Sequence, residues 1–415
     1  MAKKGTFNGS FFSNFASRLH GTPVRFGLLL GQQVEGGLGD VVFAAPTPAQ
    51  LGEDGEPAAV PKDTAALLRS STGGVAFAEW AVQHAEAVRK LLPAGLEPLG
   101  CFTVASEASA KDLAPLLAPI LRGFSEPLVL SIDPSTRKNT FWQLAVCAKP
   151  ALRPAQMKAD SYKEFLLLWT VTNIDVMVPQ YSADDGIEKV AREVSRAVTE
   201  SLKSSIVTIA SDGGVAQVVD WKSESSLASA AAKDCQQLRV AFLRRGNGPF
   251  GQGSVRQRCV MAASALLLRR NGELREAVAK LREELAASAA ERVRLALEEC
   301  EQPGKLLNLP WRSLFTPQDL ELPLWVGDYC MPDESHSAAR ERLGQLLCMP
   351  EEALSQAPEH LDEHIIFTAK HAGTYSAKEL EKPAAAPAKP QQKAPLAVCL
   401  GLVVLLVAVA IPRLL

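Results

Sequence analysis

The sequence carries almost no net charge: 44 basic residues stand against 46 acidic ones, a formal balance of -2. No global positive field draws the chain to phosphate backbones, so nucleic acid is excluded as a partner. Closely spaced cysteines are also lacking. The eight, at 101, 147, 235, 259, 300, 330, 348 and 399, lie 18 or more residues apart, which rules out a CxxC metal or redox pair; in a cytosolic body they would be reduced thiols, most of them small core residues. No Walker loop, paired-glycine dinucleotide fingerprint or nucleophile elbow occurs, and no cofactor is expected. The glycine-rich stretch 246–253 has no Lys-Ser or Lys-Thr after it and opens into a strand, so it reads as a loop. A secretory leader is missing too: Lys3 and Lys4 precede Phe11, Phe12 and Phe15 scattered among Asn and Ser, with no continuous apolar stretch. Because no acid precedes Glu35, an organelle-transit segment is the competing reading of this end.

What is present is a globular composition, 47% hydrophobic and 22% charged over 415 residues, enough for two or three domains at about one per 150 residues. The mean hydropathy of +0.03 conceals one strongly apolar run. Residues 394–411, opening on Ala394 and closing on Ile411, contain no charge, amide or hydroxyl. As a helix they span roughly 27 Å, the hydrocarbon thickness of a thin bilayer. Only Pro412, Arg413, Leu414 and Leu415 follow, the layout of a tail anchor. Lys378, Lys382, Lys389 and Lys393 lie before the run and Arg413 alone behind it, which predicts a cytosolic N-terminal body by the positive-inside bias. The Pro, Ala and Lys of 381–395 build no core and read as an extended spacer.

Within the body, periodicity predicts a mixed α/β (α+β) fold. Strands at 24–30 and 40–45 form a hairpin around Gly36, Gly37 and Gly39, and a polar loop covers 49–74. Phe77, Trp80, Ala81, His84, Val88, Leu91 and Leu92 mark a helix stopped by Pro93 and Gly95. A strand at 96–105, a helix at 108–122 and strands at 128–132 and 141–148 complete a first α/β domain, 24–155. A second, 156–350, holds strands at 165–178, 206–209, 215–219 and 255–268, and helices at 186–204 and 273–301. Strands at 310–316 and 322–331 and a helix at 335–348 end it. Residues 222–254 read as an exposed insertion, 1–23 as a flexible N-terminus and 351–393 as a polar spacer.

The most specific catalytic pattern is His360-Leu361-Asp362-Glu363-His364, an H-x-x-E-H arrangement in which two histidines on one helical face hold zinc and Glu363 acts as base. His371 lies close enough in sequence to join a metal cluster. The segment's polar surroundings favour the other reading, a solvated acidic segment. His84, alone on its helix, reads as a hydrogen-bonded core residue.

Trp80-Ala81, His84-Ala85, Val88, Leu92-Pro93, Gly95-Leu96, Leu99-Gly100 and Phe102 follow a W-A-x-x-H-A-x-x-V-x-x-x-L-P-x-G-L-x-x-L-G-x-F pattern that resembles the ODR-four family, odorant response abnormal protein 4 and its homologues. Gly27 through Gln32, Gly31 among them, and Thr47-Pro48 fit the same family's opening. Leu309-Pro310-Trp311-Arg312, Asp328-Tyr329 and Asp333-Glu334-Ser335 fit its later part. The resemblance implies an MPN-like N-terminal domain and an endoplasmic reticulum membrane protein with a cytosolic body. It further implies aid to the maturation of multispanning receptors, such as GPCRs bound for cilia, alongside a partner similar to the UFM-specific protease. A JAMM zinc site would need H-x-H on the strand after the Trp80 helix, where this chain has Leu99-Gly100-Cys101-Phe102-Thr103-Val104. A non-catalytic adaptor without cofactor or metal is therefore expected, with Gly27, Gly31, Trp80, His84, Pro93, Gly95, Gly100, Pro310, Arg312, Asp328 and Tyr329 as structural or partner-binding positions. The alternatives are a membrane-anchored zinc or cysteine hydrolase and a purely structural tether.

Overall fold

Alternation of side chains across each strand sorts the apolar residues of this chain into layers. The computed structural model describes residues 3–363 apart from 53–54, 161–164, 179–185, 204, 212–216, 220–226, 228–234, 244–254, 269–271, 300–308, 319, 321 and 359–360. The first half runs β1 (Lys4–Asn8), α1 (Gly9–Leu19), β2 (Phe26–Gln32), β3 (Gly39–Pro46), α2 (Thr64–Leu68), β4 (Ser71–Thr72), β5 (Val75–Ala76) and α3 (Phe77–Leu91). It continues with β6 (Glu97–Val104), α4 (Glu107–Asp112), α5 (Ala114–Leu121), β7 (Leu128–Ile132), β8 (Asn139–Ala145), β9 (Ala151–Pro154) and β10 (Gln156–Asp160). Eight of these strands form one sheet in the order β10-β1-β3-β2-β6-β7-β8-β9. Its two outermost strands are separated only by Ala155, so the sheet curls until its ends adjoin.

The second half holds β11 (Phe165–Val178), α6 (Ile187–Lys203), β12 (Ile206–Ser211), β13 (Gln217–Val219), β14 (Gln237–Leu243), β15 (Val255–Leu268) and α7 (Leu274–Glu298). It closes with β16 (Trp311–Pro317), β17 (Val326–Cys330), α8 (His336–Leu347) and β18 (Leu354–Gln356). A five-stranded sheet, β13-β12-β14-β11-β15, carries α6 and α7, and a three-stranded sheet, β17-β16-β18, carries α8. In β11, Leu166 and Leu168 pack under α6 and α7. Phe165, Leu167 and Trp169 point the other way, into a core that also contains Leu28 and Leu30 of β2, Leu92 and Leu96 from the end of α3, and Phe315 and Leu343. The two halves thus share one apolar layer.

Several expectations need correction. The first 23 residues are not flexible where described: Asn8 accepts from the Phe11 amide and caps α1, a favoured helix start. Phe12, Phe15 and Leu19 of that helix pack with Phe102, Leu130 and Phe141 of the sheet. The loop 49–74 contains α2 and a short hairpin, and the helix predicted at 108–122 breaks at Leu113 because Pro115 starts a new turn. The insertion reading of 222–254 fails at β14, which pairs with both β11 and β12 and buries Leu238 and Val240. The polar spacer does not begin at 351, because β18 pairs with β16, and Leu361, Asp362 and Glu363 are buried. Residues 394–411, His360, His364, His371 and the glycine-rich stretch 246–253 lie outside the described residues.

Candidate functional site

An edge strand exposes every second N–H and C=O, a row that must be paired or covered. β15 pairs with β11 on one side only; on the other, its outward groups meet the rest of the molecule in turn. The Ala262 amide donates to Glu363 Oε1 at 2.6 Å. Ser264 C=O accepts from the Ala94 amide at 2.9 Å, and the Leu266 amide donates to Ala94 C=O at 3.0 Å. The Leu268 amide donates to Gln32 Oε1 at 3.1 Å. One backbone group at each of four consecutive outward positions is therefore paired by the N-terminal half or by the last described turn. The Pro93-Ala94-Gly95 loop that ends α3 makes the central contact. Gly95 has φ +87 and would place a Cβ 2.7 Å from Leu266 O, so only glycine lets the loop lie against the strand.

Beneath that edge sits a buried ionic cluster built on α7 and β16. Arg292 is 1% exposed and donates through Nη2 to both Glu363 oxygens at 2.7 Å. Its Nη1 donates to Pro310 C=O at 3.0 Å. Glu363 also accepts from the Arg312 amide at 2.7 Å, so its carboxylate is engaged by one guanidinium and two backbone amides. The Arg312 side chain pairs with Glu284 and donates to Lys90 C=O at 3.3 Å, at the C-terminal end of α3, where a cation complements the helix dipole. Burial alone would lower the Arg312 pKa, but Glu284, Tyr329 and Glu363 overcome it and hold the guanidinium above its ordinary value. The Tyr329 ring centroid lies 5.7 Å from Arg292 and 5.6 Å from Arg312, and burial pushes its phenol pKa upward. Two arginines and two glutamates balance, as buried charges must.

Of the remaining motif residues, His84 also bridges the seam, and the others brace one half or the other. Trp80 Nε1 donates to Pro48 C=O at 2.9 Å. His84 Nε2 lies 2.7 Å from Leu346 C=O at the end of α8, and Nδ1 lies 3.2 Å from Thr47 Oγ1. A carbonyl only accepts, so Nε2 carries the proton and Nδ1 accepts from threonine: a neutral imidazole with both nitrogens used. Asp328 and Glu334 share Arg342, at 2.7 Å and 2.6 Å, and Arg342 also donates to Tyr329 C=O at 2.9 Å. Ser335 caps α8 by accepting from the Ala338 amide. Gly27, Gly31 and Gly100 lie in β2 and β6, where neighbouring strands press on the backbone.

Three of the positions carrying the family pattern, His84, Gly95 and Arg312, therefore make contacts across the join of the two halves, and the others brace one half or the other. The model of the odorant response abnormal 4-like family matches residues 27–356, a span that includes all of them. The chain belongs to the ODR4-like family. None of the curated proteins matches it. Among solved structures it is similar to the crystal structure of UfSP from C. elegans, with 12% identity and a TM-score of 0.46. That match covers 84% of this chain and 57% of the other, so this chain spans a little over half the length of the chain it matches.

The ODR4-like chain corrects the solvated reading of the acidic segment, because Asp362 and Glu363 are buried. Both Glu363 oxygens are engaged by Arg292 and backbone amides, which leaves the carboxylate no part as a zinc-site base. Among the described residues, no group of three or more His, Cys, Asp or Glu is placed to hold a metal ion. Asp362 accepts from His336 Nε2 at 2.9 Å, and His336 Nδ1 is 2.7 Å from Ser313 Oγ. These are the distances of a Ser-His-Asp relay. Ser313, however, is mid-strand in β16 and 1% exposed, which shuts a carbonyl carbon away from its hydroxyl. The relay ties α8 and β16 to the last described turn.

Sequence reasoning missed Glu284, Arg292 and Ser288, whose hydroxyl accepts from Arg292 Nε at 3.3 Å. A signal existed for two of them: Ser288 and Arg292 continue the Leu281, Leu285 stripe of α7 at helical spacing, and a charge on an apolar face demands a buried partner. The cysteines divide. Cys147 and Cys348 are exposed, whereas burial raises the Cys101 pKa and, with Asp328, pushes Cys330 up to about 12.

His84 makes the seam pH-sensitive. Burial lowers its pKa below 6.5 despite the opposing Leu346 hydrogen bond. The unfolded chain then binds a proton near pH 6.5 that the folded chain refuses, so the His84 contribution is complete above that pH and is lost as pH falls toward the folded pKa. Urea midpoints of the full chain and of His84→Gln, measured from pH 7.5 to 5, should converge as pH falls. Parallel curves would refute the assignment.

Proposed function

We propose that this chain is a non-catalytic, tail-anchored adaptor of the endoplasmic reticulum membrane. Its cytosolic body recruits a soluble partner similar to the UFM-specific protease, and the pair assists maturation and trafficking of membrane receptors, including GPCRs destined for cilia. One observation carries the reading: an ODR4-like body, matched over residues 27–356, is followed in the sequence by the uncharged run at 394–411. An anchored adaptor works by concentration, because a soluble enzyme held at the surface meets membrane-bound substrates at an effective concentration set by the spacer.

Three features support a binding body over a hydrolase. β6 has Gly100, Cys101 and Phe102 where the MPN-like reading would require the JAMM H-x-H, so an MPN-like first half serves as scaffold. Glu363 is fully engaged with Arg292 and backbone amides. Burial shifts Cys101 and Cys330 away from thiolate, opposite to the shift a nucleophile needs.

A fluorescent reporter fused to residues 380–415 tests the anchor. Overlap with an endoplasmic reticulum marker is expected. A diffuse cytosolic signal would remove the anchor from the account, and a mitochondrial or peroxisomal pattern would move it to another membrane.

A further inference from the structure

Away from the seam, a cavity of about 200 Å³ opens where the end of α1 meets the ends of β6 and β7. Its floor is apolar, formed by Leu19, Val104 and Ile132, and Arg25, Lys62 and Arg137 line it together with one carboxylate, Asp133. At about 30 Å³ per water, the volume would hold roughly seven waters, room enough for one aliphatic side chain. The nearby acids are already committed. Asp133 accepts from the Ser135 and Thr136 amides and the Ser135 hydroxyl, Asp63 caps α2, and Glu107 pairs with Lys138. Arg25 donates to the carbonyls of Lys62, Thr22 and Val24, which fixes its guanidinium at the rim. Among the described residues, the side chains of Lys62 and Arg137 have no partner. The hydrogen bonds that Asp133 accepts leave it charged, so three cations stand against one carboxylate in the lining, a local excess of positive charge in a chain of net charge -2.

Arg137 adds a second observation. It holds φ +57, a left-handed conformation that costs a residue with a Cβ roughly 1–2 kcal/mol and that glycine adopts freely. The β7–β8 turn imposes it: the Asp133 amide donates to Lys138 C=O at 3.0 Å and the Arg137 amide to Asp133 C=O at 2.8 Å. An arginine thus occupies a glycine position, with its side chain at the cavity rim.

We propose that this cavity docks an acidic peptide segment through one aliphatic side chain, seated on Leu19, Val104 and Ile132, with flanking carboxylates on Lys62, Arg137 and Arg25. The apolar floor favours a peptide over a free anion, because phosphate alone leaves Leu19, Val104 and Ile132 unmatched. The three cations stand on separate segments around one side-chain-sized hole, a geometry that suits alternating acidic and aliphatic residues. The site needs neither the membrane anchor nor a protease-like partner, so it stands or falls apart from the adaptor reading.

The test titrates the full-length chain in detergent micelles against a fluorescein-labelled peptide of one leucine flanked on each side by two glutamates, read by anisotropy. Arg137→Gly should hold or raise the melting temperature, by relieving the left-handed strain, while weakening the peptide by about tenfold or more. Lys62→Ala should weaken it too, and a peptide with serine in place of leucine should bind more weakly to the unmodified chain. No binding at millimolar peptide, equal affinity in Arg137→Gly, or indifference to the leucine would each overturn the proposal. Displacement by millimolar inorganic phosphate as complete as by unlabelled peptide would show a plain anion site and overturn it as well.

Discussion

Replacing Glu363 with alanine destabilises the body by about 3–5 kcal/mol, the cost of stranding a buried charge by deleting its partner. The substitution leaves the Arg292 guanidinium, 1% exposed, without its carboxylate, and removes the acceptor of the Ala262 and Arg312 amides. For a domain whose whole stability is about 5–15 kcal/mol, that is a large share. Glu363→Gln should lose less, since one carbonyl oxygen still accepts. Glu352→Ala, at an exposed position two residues before β18, serves as control and should stay within about 0.5 kcal/mol of the parent. Urea midpoints read by tryptophan fluorescence decide it, because Trp311 and Trp325 lie in the core fed by this cluster. A parent-like midpoint for Glu363→Ala would show that the cluster does not hold the seam. The same logic bears on truncation: a chain ended at 350 loses β18, Leu361, Asp362 and Glu363 together, and should unfold more readily than the full chain.

Gly100→Ala should be comparably damaging for a different reason. In the parallel β6–β7 pair Gly100 faces Leu128, and an added Cβ would lie 1.9 Å from Leu128 O and 2.7 Å from its N and C. All three atoms are backbone inside an eight-stranded sheet, so no side chain can turn aside, and relief requires parting the strands. Overpacking of this kind costs about 3 kcal/mol or more where nothing yields. Gly123→Ala makes the comparison, since nothing lies within 4 Å of the Cβ it would add. Near-native melting of Gly100→Ala beside an equally native Gly123→Ala would mean that β6 and β7 are not in this register.

Strong periodicity made much of this architecture legible. The stripe Ile187, Val190, Val194, Val198 and Leu202 identifies α6, and the long apolar runs of β11 and β15 reach the lengths expected of them. Shorter elements escaped because their signals are local and weak. α1 is a single run of 11 residues whose phenylalanines alternate with Ser and Asn, and its stability comes from the Phe102 and Phe141 surface that only the folded sheet supplies. β14 reads as Gln-Leu-Arg-Val-Ala-Phe-Leu, an alternation easily lost within a polar stretch. The seam lay half in view. Its family positions were recognisable as a pattern, but that His84 holds the end of α8, or that Glu363 answers Arg292 across 71 residues, depends on contacts that no local spacing encodes. A glutamate in a polar segment looks solvated until its buried arginine is known.

The seam accounts for how the body is held together; the central functional claim is that this body brings a soluble partner to a membrane. The direct measurement is the membrane-bound fraction of the UFM-specific-protease-like partner in cells carrying either the full chain or a chain lacking residues 394–415. The account predicts that the partner sediments with endoplasmic reticulum membranes beside the full chain and moves to the cytosol, together with the shortened chain, when the run is removed. A partner equally membrane-bound in both cells would contradict it.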